Sequence, residues 1–247
     1  MPDAIFAHPR LAAIYDTFDD DRSDLDAYVA IAAELTPGPA AASVVDVGCG
    51  TGSLAVRLAA LGYRVTGVDP AAASLAVART KPHADAVTWI EGDATALPSA
   101  AADLALMTGN VAQVFLTDED WIATLHAIAA ALHPGAHFVF ETRRPERRGW
   151  EEWTADAAPV VREVPGIGTV QERRAFLSVD VPYVSFGSSY HFPDGEIVNS
   201  QSTLRFRERE EVQAGLDECG FDVVDVREAP DRMGKEFVFV ARRRDHR

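Results

Sequence analysis

Asp46 closes the β-branched run Val44-Val45-Asp46-Val47, and Gly48-Cys49-Gly50-Thr51-Gly52 follows it before a helix that begins at about Ser53. Glycine at every second position lets the chain turn sharply from strand to helix, with positive φ accessible and no Cβ in the way. A ligand can then lie against the main chain at a helix N-terminus, which favours negative charge. The acid at Asp46 changes that reading. A pyrophosphate has no use for a carboxylate at the strand end, whereas a ligand with an amino group or a sulfonium does. The third glycine also comes one residue earlier than the dinucleotide pattern G-x-G-x-x-G requires, with Ser53 in the last glycine's place.

Two further acids fall in step. Arg64-Val65-Thr66-Gly67-Val68-Asp69 reads as a second buried strand, its acid nineteen residues after Gly50. A carboxylate there accepts hydrogen bonds from ribose hydroxyls in α/β nucleotide folds. Val87-Thr88-Trp89-Ile90 is a third strand leading into Glu91-Gly92-Asp93-Ala94, and Asp103 to Met107 is a fourth, ending at Thr108-Gly109-Asn110-Val111-Ala112-Gln113. Asp-x-Gly-x-Gly-x-Gly followed by these segments resembles the class I S-adenosylmethionine (SAM) dependent methyltransferases. The resemblance covers Leu11 to Thr142 by motif and Glu208 to Ala241 by element order. It implies that Gly48, Cys49, Gly50 and Gly52 approach SAM closely and that Asp46 meets its ammonium. Asp69 would take the ribose, with Pro70 beside the adenine. Asp93 would accept from the exocyclic amine and the Ala94 amide would meet a ring nitrogen. Thr108, Gly109, Asn110 and Gln113 would line the methionine end, and Tyr15, with Arg22 as an alternative, would close over it from an N-terminal lid. The product would be S-adenosylhomocysteine (SAH). Asp69 and Asp93 also read as local caps.

Methyl transfer from a sulfonium needs alignment and desolvation, and only sometimes a base. Two residues are candidate bases. Glu141 ends the fifth strand, on the side where open α/β sheets place ligands; its alternative is an ion pair with Arg143 or Arg144. His191 lies in a later strand where Val184, Phe186, Tyr190 and Phe192 alternate with Tyr183, Ser185, Ser189 and His191. It is a candidate if the polar face meets the pocket. Trp150 and Trp153 suit either a substrate wall or an anchor, and Arg143-Arg144-Pro145-Glu146-Arg147-Arg148 suits either an anionic substrate or a solvated loop.

The elements that must carry these residues follow from periodicity. Leu11 to Leu35 reads as one or two helices broken by Asp19-Asp20-Asp21. Strands and helices alternate from Val44 to Thr142, including a helix from Asp118 to Leu132 ended by His133-Pro134-Gly135 and a fifth strand at His137 to Glu141. From Val160 to Phe206 the period switches to two, giving three or four antiparallel strands. A helix at Glu208 to Cys219 and strands at Phe221 to Arg227 and Glu236 to Ala241 complete the sheet, with a frayed tail from Arg242 to Arg247. The expected fold is α/β: a Rossmann-like, seven-stranded, mostly parallel sheet with helices on both faces, and an antiparallel β lid inserted after strand five. The divisions are 1–42 (helical lid), 43–144 (SAM-binding core), 145–206 (insert) and 207–247 (last helix and strands).

Among 247 residues, 23 basic against 38 acidic side chains give a net charge of −15. Such a field opposes nucleic acid, whose binding rests on cations displacing counterions. Cys49 and Cys219 show no metal-binding spacing, and neither a leader nor a membrane segment is evident. The expectation is a cytoplasmic SAM-dependent methyltransferase, monomer or homodimer, acting on the O, N or C atom of a small metabolite, with no metal, nucleic-acid or membrane partner. The alternatives are a tRNA or protein methyltransferase, a non-catalytic SAM-binding protein, and a nicotinamide oxidoreductase.

Overall fold

The structure, a computed structural model, describes residues 2–19, 21–100, 102–155 and 158–245. The apolar runs form the centre of a seven-stranded sheet: β1 (Ser43–Val47), β2 (Arg64–Asp69), β3 (Val87–Glu91), β4 (Ala102–Met107), β5 (Leu132–Arg143), β10 (Phe221–Glu228) and β11 (Glu236–Arg243). Its order is β10-β11-β5-β4-β1-β2-β3. β1 to β5 run parallel, and β11 is antiparallel to both β5 and β10. The sheet reverses its winding between β1 and β4, so their C-terminal ends open a crevice where ligands bind in such folds.

Helices α4 (Ser53–Ala60), α5 (Ala72–Ala78) and α6 (Asp118–Ala131) follow β1, β2 and β4. Thr117 Oγ1 accepts from the Asp120 N–H at 3.1 Å and so starts α6, while α8 (Arg209–Glu218) opens with a reciprocal cap between Glu208 and Glu211. Trp121, Leu125 and Ile128 then face Phe138, Phe140 and Phe239 in one buried layer. The strand after α6 begins earlier than its apolar run. Leu132 already pairs with Ala102, and the register slips across His133-Pro134-Gly135 before Leu104 meets His137.

Between β5 and α8 the chain forms α7 (Trp150–Ala155) and a second sheet, β6 (Val160–Val164), β7 (Gly168–Asp180), β8 (Tyr183–His191) and β9 (Ile197–Arg205), in sequential antiparallel order. A bulge between Arg174 and Phe176 bends β7. Gly187 stands opposite it and leaves room for the Phe176 ring, which a Cβ there would press against. The 116–117 carbonyls tie this roof to the core: Leu116 O accepts from Tyr183 Oη and Arg205 Nη1, each at 3.2 Å, and Thr117 O accepts from Arg207 Nη2 at 2.9 Å.

At the N-terminus, α1 (Ala4–Ala7) and α2 (Pro9–Phe18) lie against the roof, whereas α3 (Asp24–Leu35) packs on the main sheet. Leu11 and Ile14 are buried with Val170, Tyr190, Phe192 and Val198. The C-terminal tail is not frayed over Arg242–Arg244. Two of these residues continue β11, and Arg244 donates to Asp222 and to Phe221 O. His246 and Arg247, like Asp20 of the acidic patch, lie outside the described residues.

Phe140 stacks on Phe239 and Phe138 and meets Trp121 edge-on. Phe140→Ala should lower unfolding free energy by about 3–5 kcal/mol in urea titration; a loss near zero would contradict this account of the core.

Candidate active site

A crevice of about 80 Å³ lies at the C-terminal ends of β1 and β4. Asp46, Gly48, Cys49 and Gly50 form its floor, Thr108, Gly109 and Val111 one wall, and Phe6, Tyr15 and Arg22 its cover. Gly50 has φ +52°, and a Cβ there would meet nothing within 4 Å, so its backbone is bare toward the crevice. Four of the loop's N–H groups are already engaged within the protein. Gly48 and Cys49 N–H groups donate to Val68 O, Gly50 N–H to Asp69 Oδ2 at 2.8 Å, and Gly52 N–H to Cys49 O. A pyrophosphate would need those donors free.

Instead the floor offers a carboxylate. Asp46 is 2% exposed, and burial, reinforced by nearby Asp69, pushes its pKa up to about 7. An ionised carboxylate in such a place needs a cation beside it. Burial likewise raises Asp69, while the N–H groups of Ala71 and Gly50 counteract it. Asp69 therefore holds the glycine loop to the end of β2.

The cover is latched. Thr51 Oγ1 donates to Asp16 Oδ1 at 2.6 Å, and Lys81 Nζ pairs with Asp16 Oδ2 at 2.7 Å. Arg22 is held by Asp19 and Asp24 at 2.9 and 3.2 Å. Tyr15 packs against Phe6 with the rings tilted and their centroids 5.4 Å apart, and burial pushes its phenol up to about 12. It is a neutral donor. The sequence points to Tyr15 and Arg22 of this cover; Thr51 lies within the glycine motif without its latch role being marked, and no motif marks Lys81.

Other expected contacts lie outside the crevice lining. Gly52 does not line the crevice: its φ is +78° and a Cβ would lie 2.5 Å from the Trp89 ring, so it admits helix packing rather than ligand. Pro70 and Asp93 are exposed and Ala94 is buried, all beyond the ends of β2 and β3. Asp93 caps its own turn, accepting from the Thr95 N–H at 2.9 Å. Asn110 and Gln113 turn away from the crevice into a buried network. Asn110 Nδ2 donates to Glu236 Oε1 at 3.0 Å, and Gln113 Oε1 accepts from Arg143 Nη1 at 3.0 Å.

Glu141 belongs to that network. Its Oε1 accepts from the Asn110 N–H at 3.0 Å, and burial, with Glu236 nearby, pushes its pKa up to about 8. Neither arginine considered as its partner pairs with it; Arg143 approaches Glu236 and Arg144 pairs with Glu228. Glu141 lines neither the crevice nor the larger cavity nearby. His191 is placed on the outer face of the roof, because Val184, Tyr190 and Phe192 are the residues buried beneath it. Its Nε2 lies 3.1 Å from Ser189 Oγ.

The larger cavity, about 560 Å³, opens where β5 ends, β11 begins and α7 starts. Arg143, Trp153 and Glu236 are among its lining residues. Trp150 is buried against Phe206 and anchors the roof, whereas Trp153 lines the cavity with Arg143 over its ring at 5.2 Å. The two spaces share no lining residue, but one loop links their walls. Gly109 and Val111 face the crevice, and Asn110 between them is tied to Glu236 in the cavity wall.

A strand-order switch with a carboxylate-tipped glycine loop, a folded-over N-terminal lid and a roof after strand five is the architecture of a class I SAM-dependent methyltransferase. Comparison with known proteins agrees. Residues 44–135 match the family model described as a methyltransferase domain. The chain is 38% identical over 96 residues to a ubiquinone/menaquinone biosynthesis C-methyltransferase of Rubrivivax gelatinosus, covering 39% of this chain and 37% of that protein. It is 31% identical over 138 residues to the cypemycin N-terminal methyltransferase of a Streptomyces species, covering 51% and 56%. The matched parts thus span at most a little over half the length of these curated relatives. Among solved structures, a sugar N-methyltransferase from a Streptoalloteichus species superimposes with TM-score 0.75 at 20% identity, covering 94% of this chain and 93% of that one. A SAM-dependent methyltransferase from Clostridium acetobutylicum gives 0.73 at 16%, covering 96% and 98%. Residues 44–135 therefore match a methyltransferase domain, and the chain as a whole shares the fold of SAM-dependent methyltransferases of known structure.

The two buried acids make stability depend on pH. Their native pKa values lie above the ordinary 3.8 and 4.5, so their contribution is fully present below about pH 4 and is lost as pH rises through about 7 for Asp46 and about 8 for Glu141. Without ligand, urea unfolding free energy should fall by roughly 2–5 kcal/mol from pH 5 to pH 9. Asp46→Asn with Glu141→Gln should flatten that slope, and an equal slope in the double variant would refute the assignment.

Proposed function

We propose that this chain transfers the methyl group of SAM to an O, N or C atom of a small metabolite. The observation that carries the reading is the buried Asp46 carboxylate under the bare backbone of Gly50, in a crevice joined by one loop to a 560 Å³ cavity. Bound there, SAM supplies an already activated methyl group. The residues present fit it: Asp46 faces its ammonium, Gly48 and Gly50 give the close approach, and Thr108 and Gly109 line the methionine end. Asp69, Pro70, Asp93 and Ala94 serve the ribose and adenine from the adjoining strand ends.

The protein's own part is to orient and to exclude water. Phe6 and Tyr15 cover the crevice, and the Asp16 latch keeps α2 closed. Glu141 acts as a positioning residue, holding its proton at neutral pH and fixing the 108–111 loop through the Asn110 N–H. His191 has no part in the chemistry. The relatives include enzymes named for C-, O- and N-terminal methylation, and the acceptor atom here follows from the substrate rather than from an obligatory side chain. The acidity of the chain favours a small acceptor over tRNA.

Calorimetry with SAH against NADH, followed by labelled SAM with candidate acceptors, tests the reading. SAH should bind and NADH should not; the reverse would overturn it. Gly50→Val should abolish SAH binding in a folded protein. SAH affinity should rise about tenfold from pH 6 to pH 8 as Asp46 ionises against the ammonium, and Asp46→Asn should remove that rise.

A further inference from the structure

The 560 Å³ cavity carries a charge that the rest of the molecule does not explain. In a chain of net charge −15, its lining includes Arg143, Arg144, Arg147, Arg232 and Lys235, against the carboxylates of Glu152 and Glu236. The pairing of these cations is uneven. Lys235 meets Glu152 at 2.8 Å, Arg144 meets Glu228, and Arg232 meets Asp231 and Glu236 at 3.0 and 2.9 Å. Arg143 approaches Glu236 only to 3.7 Å and spends Nη1 on the Gln113 amide. Arg147 donates Nε to Gly234 O at 2.8 Å and, among the described residues, has no carboxylate within ion-pair distance.

The depth of these groups matters. The Arg144 and Arg143 side chains are 17% and 25% exposed, so they form the floor, whereas Arg147 stands at the exposed rim. Burial lowers the pKa of Arg143, the mark of a guanidinium with too little counter-charge. Glu141, pushed up to about 8, holds its proton near neutrality and does not supply that charge. Two forked guanidinium groups around one space suit an oxyanion bidentately, and Trp153 supplies a flat apolar wall beside them.

We infer that this cavity holds the oxyanion of the methyl acceptor, a carboxylate or a phosphate, with Arg143 and Arg147 as its principal ligands and Trp153 against the acceptor's apolar part. The inference rests on the methyltransferase reading for the identity of the ligand as an acceptor, but anion binding can be measured without turnover. Held at this end, an acceptor would extend toward the 108–111 loop, whose Asn110 is tied to the cavity wall through Glu236. An acidic acceptor is thereby chosen over its neutral counterpart.

Saturation-transfer NMR on the full chain with SAH present, using phenyl phosphate, benzoate and neutral benzyl alcohol as probes, tests it. At least one anion should bind saturably and benzyl alcohol should not. Arg147→Gln should weaken the anion by about tenfold, the loss of one charge-assisted contact, and Arg147→Glu by more. Arg64→Gln, a cation change at the opposite end of β2, should leave it unchanged. Equal binding of neutral and anionic probes, or an unaltered affinity in Arg147→Gln, would overturn the inference. A wild-type chain that binds phenyl phosphate but not SAH, measured calorimetrically, would instead sink the methyltransferase reading and leave the anion site standing.

Discussion

Much of this structure depends on one buried carboxylate. Asp46 sits at the tip of a central strand, almost wholly removed from water and beside a second acid, Asp69. Each additional negative charge in that volume is costly. The surrounding backbone relieves Asp69 by donating the Gly50 and Ala71 N–H groups to it. Asp46 receives less, and it faces the crevice. A ligand that brings a cation completes the electrostatics of the strand end, which distinguishes this loop from the phosphate cradles that glycine-rich turns otherwise make.

The lid and the roof matter because they control water. The helix α2 packs Leu11 and Ile14 into the underside of the roof while Asp16, at its other side, bridges to Thr51 in the glycine loop and Lys81 beyond α5. Closing the crevice therefore also ties the lid to the loop it covers. A dry site strengthens every interaction inside it, and that is the contribution a protein can make to a displacement whose activation resides in the methyl donor. On the cavity side, the 108–111 loop is shaped by Glu141 and Glu236, which grip the Asn110 backbone and side chain from adjacent strands. The same Glu236 steadies Arg232 and approaches Arg143 in the cavity. Loop position and cavity charge are thus coupled through a single buried network.

The sheet was legible in the residues because its signals are local. Continuous apolar runs between Val44 and Phe140 can be buried only on both faces, and each ends in an acid or a glycine that marks a ligand edge. The switch of period after Val160 likewise announced an antiparallel insert. The fifth strand was read too short because His133-Pro134-Gly135 resembles a terminator. Tertiary pairing of Leu132 with Ala102 absorbs those residues as an irregularity.

By itself the sequence determined the strand ends, the glycine loop and the acids that face it, since those depend on backbone conformation and on side chains within a few residues. Tertiary structure decided which candidates share a site. Alternation in β8 separates two faces, and only packing against α2 shows that the Tyr190 face turns inward and the His191 face outward. Gly52 matches the motif, yet Trp89 from β3 assigns its role to packing. The arginines after β5 look like a solvated loop in one dimension. They form a cavity because β11, arriving from the far end of the chain, lays Glu236 and Lys235 beside them, and long-range strand pairing leaves no mark in either segment read alone.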